Sequence, residues 1–329
     1  MTILIEQPIN SLRLKVTDRC PWNCWWCHNE GTGERDPKVV GDVPWDEETK
    51  SVITELQNVL GFTEVHLTGG EPTAHPAIHE VIRGLTGMGL KVKATSIGNR
   101  KEIIEKVAGA GLQGFNFSLH SLEPELLHTT QVNRSYEWTK KQLEQQLRSI
   151  EYAKDFGVSV KVNTVIANPD DLPRARTVLQ WAIQNNIPLR LMNELSSGQV
   201  AYDTIYSLLE EFNAIEDRRV HILGSSSHST YYKLNHGYEL AFKQIRDVYL
   251  DSMCDQCALK GDRCTEKYYG VRLERRVLNG IGKYYIRLCI HHSTEDTVMS
   301  VHDFLHSKQR QEIQMLMSKK VRDSVGCAE

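Results

Sequence analysis

The cysteines are the residues of this 329-residue chain with the most evident chemistry, and most of its eight thiols fall into two groups. The first group is Cys20, Cys24 and Cys27, in the pattern Cys-x3-Cys-x2-Cys. Three thiolates on one short loop can bind three irons of an iron–sulfur cube and leave the fourth iron without a protein ligand. Such an open iron can bind a substrate or cosubstrate directly. A zinc site with His28 as its fourth ligand is the alternative at this point.

The second group lies near the end of the chain and contains Cys254, Cys257, Cys264 and Cys289. Cys327, two residues from the end, is expected to be a free thiol. Sparse but clustered cysteines predict metal or cluster ligands rather than disulfides. The start of the sequence does not resemble a signal peptide, and no run of about 18 apolar residues occurs. We therefore expect a cytoplasmic protein without a membrane partner.

The composition is that of a folded enzyme with balanced charge. The chain has 39 basic and 42 acidic residues, a formal net charge of −3, and 40% hydrophobic residues. These values exclude a disordered protein and give no general attraction to nucleic acid. Trp25, Trp26 and Arg35 could stack on RNA bases, but no basic surface supports this alternative, so no nucleic-acid partner is expected.

The elements that must position the cysteines alternate between strands and helices over residues 1–220. Strands are predicted over 12–17, 64–70, 91–96, 114–120, 158–166 and 188–194. Helices are predicted over 45–61, 75–88, 100–111, 136–156, 172–185 and 201–215. Six such units predict parallel strands with right-handed crossovers. Because a closed barrel needs eight units, we predict an α/β fold with an open, partial (β/α)6 TIM-type barrel.

The pattern changes after about residue 220. Short strands are predicted in 219–224 and 229–235, followed by the second cysteine group. A hairpin is predicted with arms 268–274 and 283–289, and a terminal helix over about 301–320. We therefore predict two domains, the partial barrel over residues 1–220 and a C-terminal α+β domain over 221–329.

The motifs around the first cysteine group resemble those of a known family. LRLKVTDRCPWNCWWCHNEG resembles the opening of the radical S-adenosylmethionine (SAM) enzymes, whose CxxxCxxC loop holds a catalytic [4Fe-4S] cluster. An aromatic residue commonly precedes the third cysteine there, and Trp26 has that place. LTGGEP is similar to the family's motif for the SAM amino group and implies that Gly69, Gly70 and Glu71 bind SAM. The two motifs at the ends of consecutive strands favour iron–sulfur over zinc.

Within that superfamily, the chain is similar to the GTP 3′,8-cyclase (MoaA-like) branch in KATSIGN, FNFSLHSLEPE, GVSVKVNTVI and CDQC…VRL…LC. This resemblance implies that Ser118 contacts SAM, and that Thr95 and Ser96 lie near the SAM ribose or the substrate.

The same resemblance implies substrate contacts from three basic residues. Arg13 and Lys161 stand where two nucleotide contacts of the branch lie, and Arg272 keeps one arginine of its Arg-x-Arg pair. The chain departs from the branch elsewhere, with His66 in place of an arginine and the ending GCAE in place of Gly-Gly.

The branch also carries a C-terminal module, the twitch domain, with an auxiliary [4Fe-4S] cluster. Cys254, Cys257 and Cys289 match its three ligands, and the insertion ALKGDRCTEK adds Cys264. With Cys264 as a ligand, the cluster would be bound by thiolates alone, and electron transfer or support would be its role. Without it, Cys264 is a spare thiol. A structural zinc is the alternative for this group.

The resemblance therefore implies a radical SAM enzyme with two [4Fe-4S] clusters and SAM. In this family the reduced cluster cleaves SAM to methionine and a 5′-deoxyadenosyl radical, which abstracts hydrogen from a substrate. A flavodoxin or ferredoxin is the expected one-electron donor. Because fewer charged contacts to a triphosphate remain, we expect a nucleoside- or sugar-like small molecule from a specialised biosynthetic pathway. GTP 3′,8-cyclisation and peptide modification are the alternatives.

Overall fold

Six parallel strands form the centre of the computed structural model, which describes residues 2–33, 35–36 and 38–317. After a first strand, β1 (Ile3–Pro8), they lie side by side in chain order. They are β2 (Ser11–Lys15), β3 (Glu64–Thr68), β4 (Lys91–Ser96), β5 (Gly114–Ser118), β6 (Ser159–Ile166) and β7 (Leu189–Asn193). The predicted partial (β/α)6 barrel is confirmed.

Helices follow every one of these strands. They are α1 (Glu47–Leu60), α2 (Ile78–Gly87), α3 (Lys101–Gly109), α4 (Pro124–His128), α5 (Tyr136–Asp155), α6 (Leu172–Gln184) and α7 (Gly198–Glu211). Local chemistry sets their ends. The Asp46 carboxylate accepts a hydrogen bond from the Thr49 amide (2.8 Å) at the start of α1, and Gly61 ends that helix with a φ of 68°.

Alternation along the strands separates the core from the site. In β2 and β3, Leu12, Leu14, Val65 and Leu67 are at most 1% exposed and pack in the core with the helices. The residues between them point the other way, and Arg13 on β2 lies next to His66 on β3. A strand turns successive side chains to opposite faces, so one face supplies the core and the other lines an internal cavity.

The sheet continues beyond the six strands on both sides. The later strands are β8 (Ile215–Leu223), β9 (Ser227–Lys233), β10 (Glu239–Ile245), β11 (Arg272–Leu278), β12 (Ile281–Arg287) and β13 (Val298–Ser300). β10 pairs with β7 and β11 with β2, both in parallel, and β1 pairs with β8. The predicted boundary at residue 220 falls inside β8. The division into two domains stays a prediction.

Two sequence predictions for the C-terminal part were wrong in detail. The hairpin arms are β11 and β12, joined by only two residues, Asn279 and Gly280, with φ values of 51° and 78°. An Asn-Gly pair with two positive φ angles makes the tight turn that suits the twist of a hairpin. Residues 275–278 and 281–282 therefore belong to the strands and not to a loop.

The predicted terminal helix is broken into α9 (Val301–Leu305) and α10 (Lys308–Met317). The Ser307 hydroxyl accepts a hydrogen bond from the Arg310 amide (3.0 Å), which starts the second helix. Residues 318–320 of the predicted helix and the predicted free thiol of Cys327 lie outside the described residues. In the described part of the chain, none of the helices has the length and apolar character that a membrane span requires.

Candidate active site

A cavity of about 680 Å³ lies inside the partial barrel, a size that suits small-molecule binding. The thiols of Cys20, Cys24 and Cys27 line one part of it, on the loop that follows β2. Side chains from β2 to β7, from β10 and β11, and from the segment before β11 line much of the rest. The cysteine loop and the strand residues predicted to bind substrate thus meet at one site.

Two side chains from outside the motif donate hydrogen bonds to the cysteine sulfurs. The Arg35 guanidinium lies 3.0 Å from the Cys27 Sγ, and the Gln131 amide nitrogen lies 3.3 Å from the Cys24 Sγ. Hydrogen bonds to cluster sulfurs tune the reduction potential of an iron–sulfur site.

The segment around Gln131 also fixes the backbone of the cysteine loop. The Trp25 amide donates to the Thr130 carbonyl (3.2 Å), and the Val132 amide donates to the Asn23 carbonyl (2.8 Å). These contacts join two segments more than 100 residues apart in the chain. They hold the cysteine loop against the segment around Gln131.

A buried ion pair supports the other end of the loop. The Lys15 ammonium lies 2.7 Å from the Asp18 carboxylate, and both side chains are at most 1% exposed. The Asn29 amide donates to the same carboxylate (2.9 Å). Burial lowers the pKa of Lys15, but the adjacent Asp18 charge opposes this shift.

The thiols fit a cluster better than a single metal ion. Burial raises the pKa of Cys24 to about 11, so metal binding has to drive the loss of the thiol proton. Among the described residues, no three His, Cys, Asp or Glu side chains are placed to hold one ion. A zinc ion needs all its ligands around one point, whereas each thiolate of a cube binds a different iron. The donor set therefore fits [4Fe-4S].

The Gly-Gly-Glu motif is packed against the cysteine loop. A Cβ on Gly69 would lie 2.3 Å from the Thr17 carbonyl oxygen, and one on Gly70 would lie 2.4 Å from that of Arg19. Both glycines also line the cavity. They are required because only a residue without a side chain allows the two loops to approach this closely.

Glu71 is turned away from the cavity. Its carboxylate is 2% exposed and accepts hydrogen bonds from the amide and hydroxyl of Thr73, the hydroxyl of Ser96 and the amide of Ile97, at 2.7–2.9 Å. These contacts join the loops after β3 and β4. A direct contact of Glu71 or Ser96 with SAM stays a prediction.

Trp26, Thr95 and Ser118 line the cavity as the sequence predicted for SAM-binding residues. The Trp26 ring packs edge-on against His120, with ring centres 5.0 Å apart, and the Thr95 hydroxyl lies 2.8 Å from the His66 Nε2. Their contacts with SAM stay predictions.

The cavity wall is rich in positive charge. Among its lining residues are seven basic side chains, Arg13, Arg35, Lys93, Lys161, Arg190, Lys243 and Arg272, and four acidic ones, Glu30, Glu64, Glu194 and Glu266. Within the described residues, Lys161, Arg190 and Lys243 have no carboxylate at salt-bridge distance. Burial and the charges of Arg190 and Lys93 lower the pKa of Lys161 to about 8.

The other two predicted substrate residues are already paired. Glu30 lies between Arg13 (2.5 Å) and Arg272 (2.7 Å), and the second face of Arg272 contacts Glu266. Arg272, Glu30 and Glu266 are all less than 10% exposed. Glu30 holds a left-handed backbone with a φ of 55°, a conformation that the two ion pairs stabilise. Substrate contacts by Arg13 and Arg272 stay predictions.

The second cysteine group gathers around the end of β12. The electrostatic environment of Cys254 includes the other three thiols, Cys257, Cys264 and Cys289. Backbone amides donate to three of the sulfurs, from Leu259 to Cys257 (3.4 Å), from Lys267 to Cys264 (3.3 Å) and from His291 to Cys289 (3.3 Å). Cys264 therefore shares the surroundings of the three predicted ligands.

The two cysteine groups are joined by direct packing. A Cβ on Gly31, four residues after Cys27, would lie 2.5 Å from the Cα of Ile290, the residue after Cys289. The pairs of Arg272 with Glu30 and Glu266 run beside this contact. The first loop and the second cysteine group thus form one continuous wall.

Several site residues escaped sequence analysis. Gln131, Arg190 and Lys243 belong to no motif identified there, and Glu266 in the insertion ALKGDRCTEK and Tyr269 in the predicted hairpin arm receive no role. The only signal was their alternation with buried apolar residues on predicted strands, which applies to Arg190 in PLRLMNE.

The barrel, the three-cysteine loop and the Gly-Gly-Glu loop beside one cavity define the class of this protein. The model of the Radical SAM superfamily matches residues 14–180, about half of the chain. The chain belongs to this superfamily and is a radical SAM enzyme, and membership brings SAM and one [4Fe-4S] cluster as cofactors.

More particular similarity is to curated GTP 3′,8-cyclases. A probable GTP 3′,8-cyclase of Thermococcus kodakarensis is 32% identical over 61% of this chain and 61% of its own length. One from Pyrococcus abyssi is 29% identical over 65% of this chain and 70% of its own length. The GTP 3′,8-cyclase of Staphylococcus carnosus is 26% identical over 66% of both chains. The chain thus spans about three fifths of the Thermococcus relative.

Among solved structures, Streptococcus suis SuiB bound to precursor peptide SuiA has a TM-score of 0.48 and 15% identity, covering 64% of this chain and 48% of that one. This degree of likeness carries no argument about substrate.

Proposed function

We propose that this radical SAM enzyme acts on an anionic, nucleotide-like small molecule, and that GTP 3′,8-cyclisation is its reaction. The observation that carries this proposal is the pair of half-buried cations Lys161 and Arg190 on the cavity wall, which have no carboxylate at salt-bridge distance among the described residues. Charged groups enclosed by protein are normally paired. A phosphate chain would pair both.

The expectation of a less charged substrate is less well supported than its alternative. That expectation depends on arginines that the GTP 3′,8-cyclase branch has and this chain lacks. His66 stands in the place of one of them. Burial and the neighbouring Arg13 and Arg190 hold the pKa of His66 well below its usual range, so this side chain is neutral. The cavity lining nevertheless contains more basic side chains than acidic ones. The names of the curated relatives favour the same reaction.

The cofactors would be held by the residues around the cysteine loop. Cys20, Cys24 and Cys27 would bind the catalytic cluster, and the cavity-lining residues Trp26, Gly69, Gly70, Thr95 and Ser118 would contact SAM. The bound cofactors supply an organic radical that removes a hydrogen atom from substrate. The chain's own side chains orient the substrate and keep water from the reacting atoms.

A second [4Fe-4S] cluster is proposed at Cys254, Cys257, Cys264 and Cys289. The amide donors to three of these sulfurs support the proposal, and Cys264 has the same kind of donor as Cys257 and Cys289. With four thiolates, this cluster would have no open iron, and electron transfer or structural support would be its role.

Anaerobic iron analysis tests both clusters. Wild-type protein should contain about eight irons, and the triple alanine variant at Cys20, Cys24 and Cys27 about four. Cys264→Ser should keep the first cluster and change the electron paramagnetic resonance spectrum of the second. A wild type with only about four irons would contradict the second cluster. An unchanged spectrum in Cys264→Ser would contradict Cys264 as its fourth ligand.

The reaction is tested by incubating reduced, reconstituted enzyme with SAM and GTP. We expect 5′-deoxyadenosine and 3′,8-cyclised GTP in equal amounts. The second candidate is a reaction on an uncharged nucleoside- or sugar-like substrate. Turnover of such a substrate, but not of GTP, would contradict the proposal and support this candidate. The pairing of Arg13 and Arg272 with Glu30 favours that candidate, because it removes two arginines from phosphate binding. Modification of a peptide is the third candidate reaction.

The remaining assignments stay predictions. A flavodoxin or ferredoxin is proposed as the electron donor, and a cytoplasmic location is proposed for the enzyme. The donor is tested by its ability to replace dithionite in SAM cleavage.

A further inference from the structure

Tyr269 and Lys243 form a pair on the cavity wall that no cysteine or SAM motif includes. The Lys243 ammonium contacts the Tyr269 hydroxyl and lies 4.2 Å from the centre of its ring. Tyr269 lies just before β11, and Lys243 lies on β10. Both side chains line the cavity.

The tyrosine is held firmly in this position. Its carbonyl accepts a hydrogen bond from the Ser225 hydroxyl (2.6 Å), and the amide of Ser226 donates to the carbonyl of Tyr268 (2.7 Å). Gly270, the next residue, has a φ of 151°, which favours glycine. The phenol is therefore directed into the cavity by the backbone.

Positive charge surrounds this phenol from four strands. Arg13 on β2 and Arg272 on β11 lie 5.3 and 5.5 Å from the ring centre, and Lys243 on β10 lies closer. Arg190 on β7 adds a fourth positive charge to its surroundings.

Two carboxylates among the described residues lie near this group and oppose those charges. Glu30 follows the cysteine loop and Glu266 follows Cys264, and both are already bound to arginine. Four cations against two carboxylates favour a negative charge at the position of the phenol oxygen. In agreement, the Lys243 and Arg13 charges lower the pKa of Tyr269 to about 7, although burial acts in the other direction.

We propose that Tyr269 is the general base of the cavity, that the Lys243 ammonium stabilises its phenolate, and that this phenolate accepts a proton from a hydroxyl or amine of the substrate. The X–H bond of the substrate breaks with its electron pair left on X, and a Tyr269 O–H bond forms. Lys243 remains protonated and, with Arg13, stabilises the new anion. No oxidant or reductant is needed. A base that titrates near neutral pH is well matched to this task.

The first test is an ultraviolet titration of the holoenzyme, which reads phenolate formation without SAM or substrate. We expect one tyrosine to ionise below pH 9 in the wild type and none in Tyr269→Phe. Lys243→Met should raise the midpoint by about 1–3 pH units, because a contacting positive charge is lost.

Tyr268→Phe is the matched control. Tyr268 is fully buried, its hydroxyl has no hydrogen-bond partner among the described residues, and burial raises its pKa. This variant should titrate as the wild type does below pH 9. If no tyrosine ionises below pH 9, or if the ionisation persists in Tyr269→Phe, the proposal is wrong.

A second test separates an acid–base role from a structural one and rests on the proposed function. With GTP as the probe, GTP-dependent formation of 5′-deoxyadenosine should fall as the pH is lowered below about 7 in the wild type. In Tyr269→Phe, this rate should be lower by roughly a hundredfold or more, and it should not decrease further as the pH is lowered below about 7. A wild-type rate and profile in this variant would overturn the role. Failure of wild type to turn over GTP would overturn the GTP assignment, while the titration still decides the ionisation of Tyr269.

Discussion

At the scale of single residues, burial and ion pairing, rather than residue type, decide whether a basic side chain of the cavity is available to bind an anion. Arg13 and Arg272 belong to a buried ion network, whereas Lys161 is a cation without a carboxylate partner in the described part of the chain. Because its pKa is lowered to about 8, Lys161 is charged below that pH and neutral above it. Its contribution to anion binding must therefore depend on pH.

Lys161 gives a prediction for GTP binding. Affinity should fall as the pH rises through about 8, since the ammonium loses its proton there. Lys161→Met should weaken binding by roughly ten- to a hundredfold at pH 7, the loss expected for a charged hydrogen bond. Equilibrium binding between pH 7 and 9.5 measures both effects.

The conservative and control variants make this prediction specific. Lys161→Arg should bind tightly without the fall near pH 8, because arginine stays charged. Lys91→Met changes an exposed lysine at the start of β4 and should leave affinity unchanged. Equal losses in Lys91→Met and Lys161→Met would contradict the local role of Lys161.

At the scale of elements, the loops at the ends of β2 and β3 are built as one unit. The Gly70 amide donates to the Thr17 carbonyl (2.8 Å), and the Glu71 amide donates to the Arg19 carbonyl (2.7 Å). The glycine motif thus has a packing function, in addition to any contact with SAM.

Gly70→Ala tests this packing. The new Cβ would lie 2.4 Å from the Arg19 carbonyl oxygen and 2.7 Å from that of Asp18, so the cysteine loop must move. We expect loss of the first cluster, measured as about four fewer irons per chain than in the wild type. Gly87→Ala is the control, because a Cβ there meets nothing within 4 Å. Full iron content in Gly70→Ala would show that the loops are not rigidly coupled.

The contact between the first loop and β11 depends on Arg272. Arg272→Met leaves the buried Glu30 and Glu266 without their shared partner, and should lower the free energy of unfolding by about 3–5 kcal/mol. Urea unfolding measures this change. Arg176→Met, which removes an exposed pair with Glu211, should cost no more than about 1 kcal/mol. Similar losses in the two variants would contradict the network's role.

At the scale of the whole molecule, the strands that line the cavity all belong to one sheet. β10 and β11 cover the two outer edges of the six parallel strands and carry Lys243 and Arg272 into the site. The C-terminal segment therefore completes the barrel wall as well as carrying the second cysteine group.

A fragment of residues 1–220 should consequently fail to fold stably. It ends inside β8 and leaves β7 and β2 with unpaired edges, which favour aggregation. Size-exclusion chromatography and far-ultraviolet circular dichroism, compared with the full chain, measure the outcome. A monomeric, folded fragment would instead support two independent domains.

The sequence by itself determined the elements and the cysteine loop. Strand alternation, helix ends such as Asp46 and Gly61, and the spacing of Cys20, Cys24 and Cys27 are properties of short windows of the chain, so they can be recognised locally. The six strand–helix units were correct for this reason. The Asn279–Gly280 turn was also a local signal, although the predicted hairpin arms did not use it.

Only the tertiary structure decided how these elements combine. Gln131 reaches the Cys24 sulfur, Glu30 joins Arg13 to Arg272, and Lys243 meets Tyr269. Each contact joins residues far apart in the chain, and its strength depends on burial and neighbouring charge, which no short window contains. Whether a cation of this cavity is paired or free is therefore a property of the assembled barrel.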